Sequence, residues 1–348
     1  MTQSIQFQQT CVKRFPLFLI IAFSCFSIFA ATPFPLHAAG VVTTCDESHL
    51  RAVLAGGGTV SFDCGGVITL TQPIDIATVT DIDGAGQQVT FSGGGQLPVF
   101  DVATGATLAV ANLTIADGFG ATGGGITNRG VVTVTNSTLV GNGSYGGGAI
   151  ANSGTLTVIN STFADNFTSV YQFGGAGIGN YQGTVTVINS TFSANQSDGP
   201  GGGINNDQGA VALTNCTFFG NRATEGGGIY TVNGTLIVSN TVIAGTLAGG
   251  NCAGLIAAAS THNLSDDDTC GASFVQVDAA TLNLGTLTNN GGPTATFALN
   301  VGSVAIDAGE DARCPATDQR GVVRPVGPHC DIGAFEFQPI VYLPMIAR

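Results

Sequence analysis

A segment of alternating side-chain character recurs six times between residues 105 and 240, and this repetition restricts the chain to a small set of folds. Each copy ends in an asparagine, and successive asparagines lie 24 to 29 residues apart. They are Asn112, Asn136, Asn160, Asn189, Asn215 and Asn240. A period in the twenties is typical of one supersecondary unit per repeat, stacked into a solenoid.

Two positions in every copy are aliphatic and lie two residues apart. The first column is Leu108, Val132, Leu156, Val185, Val211 and Leu236, and the second is Val110, Val134, Val158, Val187, Leu213 and Val238. A side-chain period of two predicts a β-strand with one buried face. A second short strand ends at Asn142, Asn166, Asn195 and Asn221, and a glycine run ending in isoleucine follows it. We therefore predict three short strands in each coil of about 25 residues.

Glycine and asparagine at the corners tolerate left-handed backbone conformations. Coils stacked at about 4.8 Å would let identical corner asparagines bond to one another, so the six asparagines ending the repeats are predicted to form a ladder. The fold class that follows is all-β, a right-handed parallel β-helix, because parallel crossovers are overwhelmingly right-handed.

The rest of the chain divides around these repeats. Residues 1–39 contain Lys13 and Arg14 followed by an apolar run, which is typical of a secretory signal peptide, with an uncut signal anchor as the alternative. We predict an N-terminal cap and first coils at 40–104, regular repeats at 105–250, last coils and an irregular C-terminal cap at 251–337, and a tail at 338–348. The spacing of Leu50, Val53 and Leu54 predicts a short amphipathic helix over the open end of the solenoid.

Charge and cysteine content limit the partners and the compartment. The formal net charge is −13, and the only lysine, Lys13, precedes the predicted cleavage site. Nucleic acid and anionic membranes are therefore poor partners, and no later segment is apolar enough to span a bilayer.

Six cysteines fall into close pairs, Cys45 with Cys64, Cys252 with Cys270 and Cys314 with Cys330, for which local disulfides are the simplest pairing. Cys216 replaces a serine of the other copies and is interpreted as a small residue of the stack.

Two groups of motifs carry a family resemblance. The residues Gly-Gly-Ala-Ile at 147–150 and Phe-x-x-Asn at 163–166, 192–195 and 218–221 resemble the repeats of polymorphic outer-membrane proteins, which are surface adhesins. The segments 302–309, 317–325 and 330–336 resemble those of choice-of-anchor Q proteins, secreted bacterial β-helices of the pectin lyase-like class. This resemblance implies a fold and a place at the cell surface, but no reaction. The tail Leu343-Pro344-Met345-Ile346 lacks the Thr-Gly of a sortase signal.

A catalytic constellation is not evident in the repeats. Glycoside hydrolysis needs two carboxylates within about 5 to 10 Å, yet Asp117 and Asp165 share a column two coils apart. A lyase would need a basic residue beside an acid cluster, and we expect neither Arg129 nor Arg222 to have one. The run Asp266, Asp267 and Asp268 is a weak calcium candidate, with a solvated loop as the alternative. We expect no catalytic residues, no metal and no cofactor.

Aromatic residues give the most specific indication of a binding surface. The longest loop between the second asparagine and the glycines carries Phe167, Tyr171 and Phe173, and Tyr145 and Tyr181 lie in neighbouring repeats. These five could form a strip on which sugar rings stack, or they could simply cover the solenoid. We predict a secreted or cell-surface, monomeric, non-catalytic β-helix that contacts a polysaccharide or cell-surface component. A polysaccharide lyase or glycoside hydrolase is the alternative, and a structural envelope component is the second alternative.

Overall fold

The computed structural model describes residues 40–171 and 173–339, and these form a right-handed parallel β-helix of about eight turns with a segment of chain packed along one side. The predicted signal peptide and residues 340–348 of the tail lie outside the described residues. Three long parallel sheets run the length of the solenoid, and a short sheet lies at one corner. Each of the eight coils between residues 58 and 254 contributes one strand to each long sheet, as the repeat pattern predicted.

The first sheet contains Gly40–Val42, Gly58–Phe62, Val79–Asp83, Thr107–Ala111, Val131–Thr135, Thr155–Ile159, Thr184–Ile188, Ala210–Thr214 and Thr235–Ser239. The second contains Gly66–Thr69, Val89–Ser92, Thr114–Ala116, Thr138–Val140, Thr162–Ala164, Thr191–Ser193, Thr217–Phe219, Val242–Ala244, Asn263–Ser265 and Phe274–Gln276. The third contains Ile74–Ile76, Phe100–Val102, Ile126–Asn128, Ile150–Asn152, Ile178–Tyr181, Ile204–Asp207, Ile229–Val232 and Cys252–Gly254.

Four two-residue strands form the corner sheet between the second and third sheets. They are Phe119–Gly120, Gly143–Ser144, Phe167–Thr168 and Gln196–Ser197. Outside the solenoid, Leu284–Thr288 pairs antiparallel with Thr296–Leu299. The α-helices are Glu47–Leu54 and Ala279–Leu282, and the 3₁₀ helices are Gly271–Ser273 and Asp311–Arg313.

The aliphatic columns pair in register and fill the interior. Leu108, Val132 and Leu156 are register partners on successive coils of the first sheet, and all three are fully buried. On the second sheet the rings of Phe163, Phe192 and Phe218 stack with centroids 4.7 and 4.5 Å apart. Identical residues stacked at the coil spacing thus give the close packing that a narrow solenoid interior requires.

The corner asparagines that end the repeats adopt the predicted left-handed conformation, with φ between 48° and 56°. Their ladder is interrupted, however. Amide hydrogen bonds of 3.2 Å join Asn136 to Asn112, Asn160 to Asn136, and Asn240 to Asn215. The amides of Asn189 and Asn215 are directed instead to carbonyl oxygens of Thr317 and Asp331. The prediction of one continuous ladder is therefore wrong where the C-terminal part of the chain supplies other acceptors.

Two buried asparagine ladders are more regular than the corner ladder. Amides of Asn142, Asn166 and Asn195 donate in turn to the next residue of the series, which ends at Asn221, at 2.9 to 3.0 Å. A second series runs from Asn128 through Asn152 and Asn180 to Asn206 at 2.7 to 2.8 Å. All eight side chains are buried, so these bonds satisfy amides that have no access to water. The signal for the second series is an asparagine two residues after Ile126, Ile150, Ile178 and Ile204.

The first helix covers the N-terminal end, as predicted. Asp46 caps it by accepting from the His49 backbone N–H at 2.9 Å, and Leu50 is fully buried against the first coils. The guanidinium of Arg51 donates to the Pro73 carbonyl at 3.3 Å, which ties the helix to the start of the third sheet. A disulfide joins the residues before and after this helix, Cys45 and Cys64, and the other two close pairs are also joined.

Residues 283–337, called the C-terminal segment below, lie along the outer face of the second sheet. Contacts reach back from Thr294 to Asn160 and from Glu310 to Asn240, so the segment spans several coils on the flank of the solenoid. Phe297 packs on Phe219 with ring centroids 5.1 Å apart. The segment predicted as an irregular cap therefore mainly covers a flank.

A buried ionic network holds the C-terminal segment in shape. Arg324 forms an ion pair with Glu336 at 3.0 Å, and Arg320 pairs with Asp318 at 2.7 Å. Both carboxylates also accept backbone N–H bonds within the segment, at 2.7 to 3.0 Å. Burial raises the pKa of Asp331, in the same network, to about 6. The motif that carries the family resemblance is thus a structural element that folds this segment.

Candidate functional site

The loops between the second and third sheets form the most varied surface of the solenoid. They include residues 119–125, 143–149, 167–171, 173–177, 196–203 and 222–228, and are called the loop face below. Glycine runs at their ends allow neighbouring coils to approach closely. A Cβ at Gly148, for example, would overlap the carbonyl oxygen of Ala176 on the next coil. The glycines therefore hold the loop backbones together while the residues before them project outward.

Three of the five predicted aromatic residues line one pocket on this face. Tyr145, Phe173 and Tyr181 enclose a cavity of about 370 Å³ together with Ala121, Thr122 and Gly146. This cavity is called the aromatic pocket below. The rings of Phe173 and Tyr181 meet edge to face with centroids 6.3 Å apart. Tyr145 and Phe173 remain about half exposed, at 47% and 50%.

Tyr181 is the fixed wall of the aromatic pocket. Its hydroxyl donates to the carbonyl oxygen of Gly174 at 3.0 Å, and its ring lies against the backbone of Gly179. Burial raises the pKa of Tyr181 to about 12, because the phenolate would lose hydration that the site does not replace. The side chain is therefore neutral at physiological pH and presents an apolar surface to the cavity.

Tyr171 lines a different cavity, a groove of about 470 Å³ called the Arg222 groove below. Its walls are Ser169, Tyr171, Ser197, Asp198, Arg222, Ala223, Thr224 and Ala248. Tyr171 is 74% exposed, the most exposed of the five aromatic residues. Among the residues that the structure describes, Arg222 is the one cation without a carboxylate partner, whereas the five other arginines all form ion pairs. The groove thus joins an exposed ring to an available guanidinium and to hydroxyl groups.

Phe167 supports the loop face from the side. Its ring lies over Gly143, where a Cβ would collide with it, and packs near Phe119 with centroids 6.2 Å apart. Phe119 also contacts Tyr145 edge to face at 5.8 Å. The five predicted residues therefore divide into three pocket residues, one groove residue and one supporting residue. Phe119 was missed because it precedes the long aromatic loop by two coils.

Acidic residues do meet a basic residue on the third sheet, contrary to the sequence-based expectation for Arg129. Asp75 and Asp101 are register partners on adjacent coils, and Arg129 forms an ion pair with Asp101. Asp75 is exposed, whereas Asp101 and Arg129 keep 36% and 47% of their side-chain surface. The comparison of acids within the six repeats missed this group because Asp75 and Asp101 belong to the earlier, less regular coils.

The acidic loop suggested as a weak calcium candidate is engaged in its own hydrogen bonds. Asp266 accepts from the Gly245 backbone N–H at 2.8 Å and from the Asn251 amide, and Asp267 accepts from the Thr269 backbone N–H at 3.0 Å. Asp268 is exposed. No group of three or more His, Cys, Asp or Glu side chains that could hold a metal ion occurs within residues 40–171 and 173–339.

Cys216 is placed as the sequence comparison suggested, in the buried column that elsewhere carries serine. Its Sγ lies 3.4 Å from the Thr214 carbonyl oxygen, and burial raises the pKa of the thiol to about 12. A thiol of this kind does not ionise near neutral pH, so it is not a nucleophile.

Within the described part of the chain, no helix is both long and apolar enough to cross a membrane.

A match to a family model supports the fold. Residues 82–247 match a family model described as "Right handed beta helix region". Among solved structures, the chain is similar to the major allergen of cedar pollen, jun a 1, with 14% identity, a TM-score of 0.42, and coverage of 69% of this chain and 79% of that one. It is also similar to pectate lyase Pel9A, with 14% identity, a TM-score of 0.41, and coverage of 86% and 97%. No curated protein sequence matches the chain.

Proposed function

We propose that this protein is a secreted or cell-surface β-helix that binds polysaccharide through its loop face without cleaving it. The observation that supports this proposal is that one loop places Phe173 in the aromatic pocket and Tyr171 in the Arg222 groove. Tyrosine and phenylalanine rings stack on the apolar faces of sugars, and they do so at low cost in side-chain entropy. The resemblance of the C-terminal segment to choice-of-anchor Q proteins supports the cell-surface part of the proposal.

The two parts of the loop face would contribute differently. Tyr181 is already fixed by its bond to Gly174, so its surface is preorganised, and binding would cost little additional ordering. Tyr171 projects into solvent over the groove, where Ser169, Thr224 and the guanidinium of Arg222 offer hydrogen bonds to sugar hydroxyls or carboxylates. An extended chain of sugars could therefore contact rings in one cavity and polar groups in the next.

A polysaccharide lyase or hydrolase is the second candidate, and the arrangement of Asp75, Asp101 and Arg129 is the observation in its favour. Strands on adjacent coils are about 4.8 Å apart, which is close to the carboxyl separation of about 5 Å in retaining glycosidases. Against it, Asp101 is already bound to Arg129, and Asp75 is exposed. We therefore favour binding over catalysis as the function of this protein.

One experiment separates the two candidates. The mature protein with intact disulfides is applied to an array of polysaccharides, and each well is assayed for bound protein, new reducing ends and unsaturated products. We expect binding without product, and at least a tenfold loss of affinity in Tyr171→Ala and in Phe173→Ala. Tyr230→Ala, which removes a half-buried tyrosine elsewhere on the third sheet, is the matched control and should bind normally.

Product formation that disappears in Asp101→Asn would instead establish the enzymatic candidate. If no polysaccharide binds to the folded protein, the recognition proposal is wrong. Self-association in the absence of any ligand would then favour a structural role in the envelope.

A further inference from the structure

The outer face of the second sheet carries a column of threonines that is half covered and half open. Its members are Thr90, Thr114, Thr138, Thr162, Thr191 and Thr217, each in register with the next. The last three are buried beneath the C-terminal segment, with at most 3% of their surface exposed, whereas the first three are partly exposed. The same column therefore meets polypeptide on one half and solvent on the other.

The covered half shows what kind of group these columns bind. The Thr162 hydroxyl donates to the Ala295 carbonyl oxygen at 2.6 Å, and the Thr294 hydroxyl donates to the Asn160 carbonyl oxygen at 2.9 Å. Further along, the Thr217 hydroxyl accepts from the Ala334 backbone N–H at 3.0 Å. Asparagine amides of the adjacent corner add bonds to main-chain carbonyls. The Gln319 side chain of the covering segment also bonds to the column, since it accepts from the Thr191 hydroxyl at 2.7 Å and donates to the Thr162 hydroxyl at 3.0 Å. The covering segment therefore binds through main-chain groups and one amide side chain, all of them uncharged.

The open half forms a groove of about 540 Å³ that continues from the point where the cover begins. It is lined by residues 84–90 together with Asn112, Leu113, Thr114, Asn136, Thr138 and Pro293. Pro293 immediately precedes Thr294 and Ala295, which bond to Asn160 and Thr162 of the adjoining coil. The hydroxyls of Thr90, Thr114 and Thr138 make no hydrogen bond with other residues in the described ranges, so they are available to a ligand. Every side chain of the lining is uncharged.

We propose that this open half, called the flank groove, docks an extended, uncharged polypeptide segment of a partner protein. Thr114 and Thr138 would bind its main chain as Thr162 binds Ala295. Three coils at about 4.8 Å span roughly 10 Å, enough for three to four extended residues at about 3.3 Å each. The flank groove has no aromatic lining, which favours peptide over sugar as its ligand. This site is separate from the loop face and does not depend on the polysaccharide proposal.

The probe for this proposal is a fluorescein-labelled peptide with the sequence of residues 291–297, Gly-Gly-Pro-Thr-Ala-Thr-Phe, which contains the portion that covers the neighbouring coil. Binding to the full mature protein is measured by fluorescence polarisation. We expect saturable binding. Replacing both Thr114 and Thr138 by valine keeps the β-branched shape and removes the two hydroxyls, and it should weaken binding at least fivefold.

Two further variants make the outcome decisive. Thr133→Val with Thr157→Val removes the same groups from the outer face of the first sheet, and it should leave binding unchanged. Thr114→Trp fills the flank groove and should abolish binding while the circular dichroism melt stays that of a folded protein. The proposal is overturned if the peptide does not bind, if the double valine variant binds as well as the parent, or if neutral oligosaccharides displace the peptide from the groove.

Discussion

The flank beneath the C-terminal segment and the loop face are built from the same coils. Polar groups on the flank are buried and hydrogen-bonded, whereas those on the loop face are exposed. On the flank, a side chain such as Gln319 is fully buried and donates to the Thr294 hydroxyl at 2.8 Å, while Thr191 donates to Gln319 at 2.7 Å. On the loop face, Tyr171 and Arg222 project without ion pairs or covering chain. Satisfied, buried groups indicate a structural role, and exposed groups held on a rigid frame indicate a role in binding.

Breaking the buried ionic network of the flank should have the largest effect on stability. Glu336→Gln leaves the Arg324 guanidinium buried without its counter-charge, and removing one partner of a buried ion pair costs about 3 to 5 kcal/mol. We expect a loss of this order in urea denaturation, together with rapid proteolysis within residues 283–337. Arg313→Gln breaks a partly exposed pair and should cost less than about 1 kcal/mol. Equal losses in the two variants would refute the distinction between structural and exposed charges.

Within the solenoid, we expect a substitution in a buried asparagine ladder to lower the free energy of unfolding more than a substitution in the corner ladder. Asn166→Ala removes bonds to Asn142, Asn195 and the Leu139 carbonyl oxygen and leaves buried partners unsatisfied, a cost of about 1 to 3 kcal/mol per group. Asn136→Gly retains the left-handed backbone and removes only partly exposed amide bonds, so we expect about 1 kcal/mol or less. Denaturant titration of both variants measures the two losses in free energy of unfolding. A larger loss for Asn136→Gly would contradict the expectation that the buried ladder is the more stabilising.

The flank should also have a distinctive pH dependence. Because the folded pKa of Asp331 is about 6 and its ordinary value is 3.8, the folded state retains a proton that the unfolded state releases between these values. Its contribution to stability is therefore complete below about pH 4 and declines as the pH rises through 6. We expect the free energy of unfolding to fall between pH 4.5 and 7, and to fall less steeply in Asp331→Asn. If the free energy of unfolding changes with pH equally in the two proteins, the Asp331 carboxyl is not the origin of the pH dependence.

The repeat region was predictable because its information is local and periodic. Leu108 and Val110 indicate the strand, Asn112 indicates the left-handed corner, and the 24- to 29-residue spacing indicates the coil. The flank was not predictable in the same way. Gln319 bonds to Thr162 across 157 residues of sequence, and no periodicity relates the two. The ion pair between Asp101 and Arg129 was likewise missed, because Asp101 lies in a coil outside the six copies.

Tyr145, Phe167, Tyr171 and Phe173 lie on the loop face, whereas Tyr181 ends a strand of the third sheet. The division of these five residues between the aromatic pocket, the Arg222 groove and the support of the loop face was not predicted from the sequence. Whether Tyr171 joins Phe173 in one cavity depends on how a loop of irregular length folds over its neighbours, and loop length varies from coil to coil. Phe167 carries no sequence signal that it packs over Gly143, since the contact requires the coil before it. Sequence patterns thus located the surface, and packing between coils determined its cavities.

The smallest expected effect concerns the stability of the loop face itself. Tyr171 is 74% exposed and Arg222 has no ion-pair partner among the described residues, so neither contributes much to folding. Tyr171→Ala and Arg222→Ala should therefore change the free energy of unfolding by less than about 0.5 kcal/mol, the usual range for exposed positions without special contacts. Thermal and urea denaturation measure this directly, with Tyr181→Ala as the contrasting variant. That ring is largely buried, and its hydroxyl donates to Gly174, so we expect a loss of several kcal/mol, about 3 or more. A large loss in Tyr171→Ala would mean that this residue holds the loop together, and the loop face would then be a covering layer of the solenoid and not a binding surface.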